Sequence, residues 1–85
     1  MNETEQVERV AVIRTGLLDR LKSQSGLRSD EAFARAVGVS RATINRLKSG
    51  EEPTLRTVVG IASAFGLGLG EVVEIVSIAE LAEAS

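Results

Sequence analysis

Arg41, Asn45 and Arg46, with Ala42 among them, are the side chains of this sequence best suited to specific recognition. Arg41 and Asn45 stand four positions apart, so on a helix they share a face, and Ala42 and Arg46 lie beside them. A guanidinium offers two parallel donors that match O6 and N7 of guanine. A carboxamide pairs with N6 and N7 of adenine, and the methyl of Ala42 or Thr43 fits a thymine methyl. Each good bidentate pair discriminates by roughly 1–3 kcal/mol. The chemistry is that of reading base edges in a duplex. Solvation is the ordinary fate of a lone surface arginine, but here the set shares one helix face, opposite Ile44 and Leu47. Ser40 and Thr54, at expected helix starts, add amide and hydroxyl groups that suit phosphate as well as capping.

Other chemistry is poorly supplied. The 85 residues include no His and no Cys, which removes the usual general base, the commonest metal ligands and any disulfide. The carboxylates are scattered, so no acid–base constellation forms and an enzyme is not expected. No cofactor or metal is expected. Two Phe are the only aromatics, too few for a base-stacking surface, and both read as core. Gly66–Gly70 (GLGLG) lacks the Lys and Ser/Thr of a phosphate loop and reads as a turn between helices.

The recognition set needs a scaffold, and residues 29–50 provide one. Ser29 is a good N-cap for a helix whose first turn carries Asp30 and Glu31. Ala32, Phe33, Ala36 and Val37 are its expected buried stripe. Ala34 is small enough to admit a crossing helix, and Gly38 can take the positive φ of a tight turn. Ser40 caps the next helix, which runs to Ser49 and stops at Gly50. Val37, Val39, Ile44 and Leu47 fill the small core between the two. This is a helix-turn-helix, which presents its second helix to the major groove.

On the N-terminal side, Val10, Ile13, Leu17 and Leu21 recur at helical spacing, but Gly16 interrupts them. Thr15 is a candidate cap for a fresh helix ending at Ser25-Gly26. Residues 1–14 then form an extension, and its VERVAVI stretch leaves helix and strand both open. After the loop Glu51-Glu52-Pro53, Thr54 caps a fourth helix with Leu55, Val58, Val59, Ala62 and Phe65 facing inward and Gly66 at its end. Residues 15–70 make up the helix-turn-helix domain.

From Glu71 to the C-terminus a last helix is expected. Val72, Val73, Ile75, Val76, Ile78 and Leu81 spread over more of it than one stripe, so it needs cover on several sides. In a chain this short, a second copy is the favoured source, which makes these six residues the expected dimer interface. A β-strand, or packing against Val7–Ile13 of the same chain, is the alternative.

The formal net charge is −2, but its distribution matters more. Between Arg28 and Arg56 six basic residues face four acidic ones; the rest of the chain has four basic and eight acidic. Positive charge gathers around the recognition set. No run approaches the roughly 20 apolar residues of a membrane span, and MNETEQVERV is too acidic and polar for a signal peptide, so a cytoplasmic location without membrane contact is expected.

The stretches FARAVGVSRATINRLKSG (Phe33–Gly50) and PTLRTVVGIASAFGLGLGEVV (Pro53–Val73) resemble the phage-repressor and Cro-like (Xre-like) helix-turn-helix family over about residues 17–74. The resemblance implies an all-α, five-helix domain, usually dimeric, from a bacterium or phage and working at the nucleoid, that binds operator DNA and represses transcription. It places Arg41, Ala42, Asn45 and Arg46 at base edges, and Ser40, Thr43, Lys48 and Arg56 at phosphates. The family's phosphate-gripping Gln is Asp30 here, a repulsive change for which Ser29 or Arg28 can substitute. Its Glu late in the third helix is Lys48 here, which points to a charge-reversed pair with Asp19.

The leading expectation is a homodimeric, sequence-specific regulator of double-stranded DNA. Two other readings stand beside it. One is the DNA-binding antitoxin of a toxin–antitoxin pair, whose apolar C-terminal segment would hold a protein partner. The other is an interaction module of the same fold that does not bind DNA.

Overall fold

The computed structural model describes residues 8–79. In chain order the elements are β1 (Arg9–Ile13), α1 (Leu17–Ser25), α2 (Asp30–Val37), α3 (Arg41–Lys48), α4 (Leu55–Phe65), α5 (Leu69–Val72) and β2 (Val73–Ser77). The fold is a mostly helical helix-turn-helix domain with a small two-stranded sheet.

Three hydroxyls start three helices. Ser29 Oγ accepts the Ala32 amide at 3.0 Å, Ser40 Oγ that of Thr43 at 3.1 Å, and Thr54 Oγ1 that of Thr57 at 3.1 Å. Each satisfies an amide that has no partner within its helix. Gly38, at φ 84°, ends α2. The amides of Gly38 and Val39 both donate to the Ala34 carbonyl at 2.9 Å, which closes α2 and turns the chain into α3. Helix α1 differs from expectation. Gly16, not Thr15, stands at its N-cap with φ 78°, and the Thr15 amide points to Glu74 Oε2 at 3.4 Å.

The core lies where α1–α5 meet. Phe33, Ala34, Ile44, Ile61 and Val72 are almost wholly buried, and Leu17, Leu18, Leu21, Val37, Leu47, Val58 and Ala62 surround them. Phe33 and Phe65 stack with ring centroids 5.6 Å apart. Val39 packs against this core from the turn. Two stripes need correction. Ala36 is exposed, and Ala32 is only half-buried. On α4, Leu55 and Val59 face outward, while Thr57, Val58, Ile61 and Ala62 face inward. Gly60 explains this rotation: it lets α4 press against the Val37 carbonyl at the end of α2. A glycine adds nothing to an apolar pattern, so the sequence hides that contact.

The larger correction is at the two ends. Residues 9–13 resolve to a strand, and 73–77 form a second strand where a helix was expected. The helix begun near Glu71 shrinks to the single turn α5, with the Gly68 amide held by Glu71 Oε1 at 2.8 Å. β1 and β2 pair antiparallel, in the register Arg9↔Ser77, Ala11↔Ile75 and Ile13↔Val73. Apolar residues on both faces of a strand look, in sequence, like apolar residues around a helix. The β-branched run VVEIV and a distant partner strand decide for the sheet. Arg14 fastens its base: Nε and Nη2 donate to the Gly70 carbonyl at 3.1 and 2.9 Å. The outer parts of the expected extension (1–7) and final helix (80–85), Leu81 included, lie outside the described residues.

Candidate nucleic-acid interface

Helix α3 is anchored through one face. Ile44 is fully buried and Leu47 nearly so, which turns Arg41, Ala42, Asn45 and Arg46 to the exposed face. The Arg41 and Arg46 side chains keep 60% and 56% of their surface open to solvent, enough to meet a groove wall. The set inferred for base edges is therefore brought together on one accessible surface.

Both arginines have carboxylate neighbours. Arg41 Nη1 lies 3.8 Å from Glu31 Oε1 on α2, and Arg46 Nε lies 3.1 Å from Glu51 Oε2 in the following loop. Arg46 Nη2 also donates to Thr43 Oγ1 at 3.2 Å, and that hydroxyl is 3.0 Å from Ser40 Oγ. Glu31 and Glu51 did not stand out as site residues in the sequence. Glu51 lies five positions after Arg46, a separation at which only a folded-back loop makes contact.

The residues expected at phosphates divide. Ser29 and Ser40 cap α2 and α3, with each hydroxyl accepting a backbone amide. Thr54 accepts the Thr57 amide and donates its hydroxyl to Thr57 Oγ1 at 3.0 Å, so its proton is used within the chain. Thr43 is half-buried and holds Arg46. Arg56 is exposed and has no ion-pair partner among the described residues, and Arg28, just before the α2 cap, is alike in both respects.

Lys48, the remaining residue expected at phosphate, is exposed and forms ion pairs within the chain. Its Nζ lies 2.9 Å from Asp19 Oδ1 and 3.7 Å from Asp30 Oδ1, and Lys22 Nζ meets the same Asp30 oxygen at 2.9 Å. The charge-reversed pair with Asp19 is present, and it extends into a cluster tying α1, α2 and α3. The hydrogen bond to Asp19 raises the Lys48 pKa above its ordinary value. The hydrogen bond from Lys22, then the charge of Lys48, lowers that of Asp30. This accounts for the Asp in place of the family's Gln: its negative charge is balanced inside the chain.

Of the expected dimer residues, Val72 is fully buried in the chain's own core and offers no surface. Val73 packs partly against that core, and Val76 lines a cavity of about 590 Å³ beside β1, α1 and the end of α3. Ile75 and Ile78 are exposed. No group of three or more metal-ligating side chains occurs among the described residues, and no helix there is long and apolar enough to cross a membrane.

Two short helices crossing at a glycine turn, the second anchored by its apolar face and open on its polar one, define a helix-turn-helix module. A family model described as Helix-turn-helix matches residues 19–72, well over half of the chain. The protein belongs to that family, the Xre/Cro-like helix-turn-helix proteins, a family of DNA-binding transcription regulators. No curated protein and no solved structure gives a significant match.

Proposed function

We propose that the protein is a sequence-specific repressor that binds a near-palindromic operator as a homodimer. The observation that carries this reading is the face of α3. Arg41, Ala42, Asn45 and Arg46 lie together and open, while Ile44 and Leu47 fix the helix from behind. Arg41, Arg46 and Asn45 read base edges, and Ala42 takes a thymine methyl. The helix starts at Ser29 and Ser40, with Arg28 and Arg56, meet phosphates. Exposed Ile75 and Ile78 form the contact between copies, which sets two α3 helices about 34 Å apart on half-sites one turn apart.

Selection of bound duplexes from a random pool, followed by sequencing, tests the reading. A symmetric consensus is expected, with affinity for it falling steeply as salt rises. No enrichment, and no binding of random duplex at low salt, would end it. An interaction module that ignores DNA is favoured by one observation, the carboxylates beside Arg41, Arg46 and Lys48. The same titration separates the two.

A further inference from the structure

We propose that Glu51 is a positioning residue: it fixes which edge of Arg46 is offered to a base and discourages that arginine from settling on phosphate. The inference rests on the DNA-reading role of α3 and deepens it.

The geometry begins at the backbone. The Arg46 carbonyl accepts from Ser49 Oγ at 2.7 Å, from the Ser49 amide at 3.2 Å and from the Glu51 amide at 3.1 Å. These donors fold the chain back over the last turn of α3. That fold places the Glu51 carboxylate on Arg46 Nε at 3.1 Å. From the preceding turn, Thr43 Oγ1 takes a proton of Nη2 at 3.2 Å. A guanidinium has five N–H donors in a rigid fork. One, on Nη2, hydrogen-bonds Thr43, while Nε stands in ion-pair contact with Glu51, so both holds fall on the Nε and Nη2 side of the fork. Nη1 has no partner among the described residues, which leaves the end of the fork open to match guanine O6 and N7. Arg41 has no such double hold: among the described residues its ion-pair partner is Glu31, at 3.8 Å.

The energetics assign this hold to recognition more than to folding. Both side chains are more than half exposed, where an ion pair adds little stability. Binding is affected differently. Sequence-independent affinity grows with the positive charge offered to phosphates, and the carboxylate cancels one such charge. An ordered guanidinium also loses less freedom when it docks on a base. Both effects widen the gap between a chosen site and random DNA.

The test compares the wild-type chain with Glu51→Gln and Glu52→Gln on the selected duplex and on random duplex, across a salt series. Glu52 is exposed and has no ion-pair partner among the described residues, so its variant makes the same change in net charge without touching the hold. Glu51→Gln is expected to bind random duplex about two- to fivefold more tightly, the range an exposed pair can supply. Its salt dependence should steepen by close to one phosphate contact, and its preference for the selected duplex should drop by a similar factor. Glu52→Gln should keep the wild-type preference. In an Arg46→Ala background, Glu51→Gln should have no effect on preference. Equal preference and equal salt slope for the two Gln variants would overturn the positioning role while leaving DNA binding intact. Failure of the wild-type chain to bind either duplex would instead overturn the DNA reading, and this inference with it. Matching thermal midpoints for the three proteins show that folding is not what changed.

Discussion

A Cβ added to Gly60 would stand 2.7 Å from the carbonyl oxygen of Val37. Gly60 is in the middle of α4, where alanine would ordinarily gain about 1 kcal/mol in helix propensity. Here the obstacle is backbone at the end of α2, which cannot rotate aside as a side chain would. Gly60→Ala is therefore expected to destabilise the domain by about 1–3 kcal/mol, read as a lower urea midpoint. An unchanged or higher midpoint would show that α2 and α4 can separate without loss.

Gly60 also shows where reading the sequence stops. The helix-turn-helix was legible because its signals are local: Ser29 and Ser40 as caps, Gly38 as the turn, Ile44 and Leu47 on one face. The same holds for the outward set from Arg41 to Arg46. What was not legible depends on distant partners. The pairing of Val10 with Val76 joins segments from opposite ends of the chain, and neither alone says strand or helix. The hold of Glu51 on Arg46 depends on a loop that doubles back, which composition does not reveal. By contrast, the Lys48–Asp19 pair was inferable because a charge reversal at one position asks for a reversal at the other.

Arg41→Ala and Arg46→Ala should each weaken binding to the selected duplex by about 1–3 kcal/mol. Both side chains lie on the surface, so thermal midpoints should stay close to wild type. Binding to duplexes altered at single positions separates base contacts from phosphate contacts. A base contact loses its preference at one position of the operator, whereas equal loss on every sequence would move that arginine to the backbone.

The cluster of Lys22, Asp30, Lys48 and Asp19 predicts a pH dependence. The Asp30 pKa is lowered from 3.8, chiefly by the hydrogen bond from Lys22. A lowered acid contributes stability above its ordinary value and loses it as pH falls through the folded-state value. The Lys48 pKa is raised from 10.5, chiefly by the hydrogen bond to Asp19, so its contribution is complete below 10.5 and fades as pH rises through the raised value. Between these limits Asp30 and Lys48 are both charged. Asp30→Asn should therefore be less stable than wild type at neutral pH, and the difference should shrink in acid below 3.8. Urea midpoints on both sides of that value measure it; a gap that does not narrow would remove Asp30 from the ion cluster.

Val72 and Ile75 are three positions apart, yet one is fully buried and the other 65% exposed. That contrast separates folding from assembly. Val72→Ala removes core volume and should cost on the order of 2 kcal/mol, with the assembly state unchanged at concentrations where the chain stays folded. Ile75→Glu places a charge on an open face of the ribbon, which leaves the monomer's core untouched. If the ribbon joins two copies, sedimentation should give the mass of one chain for Ile75→Glu and of two for wild type, at similar thermal midpoints. The charge would be desolvated only in the dimer, so its cost falls on association alone. A mass unaffected by Ile75→Glu would move the interface away from the strands, and exposed Leu55 and Val59 on α4 would be the next surface to vary.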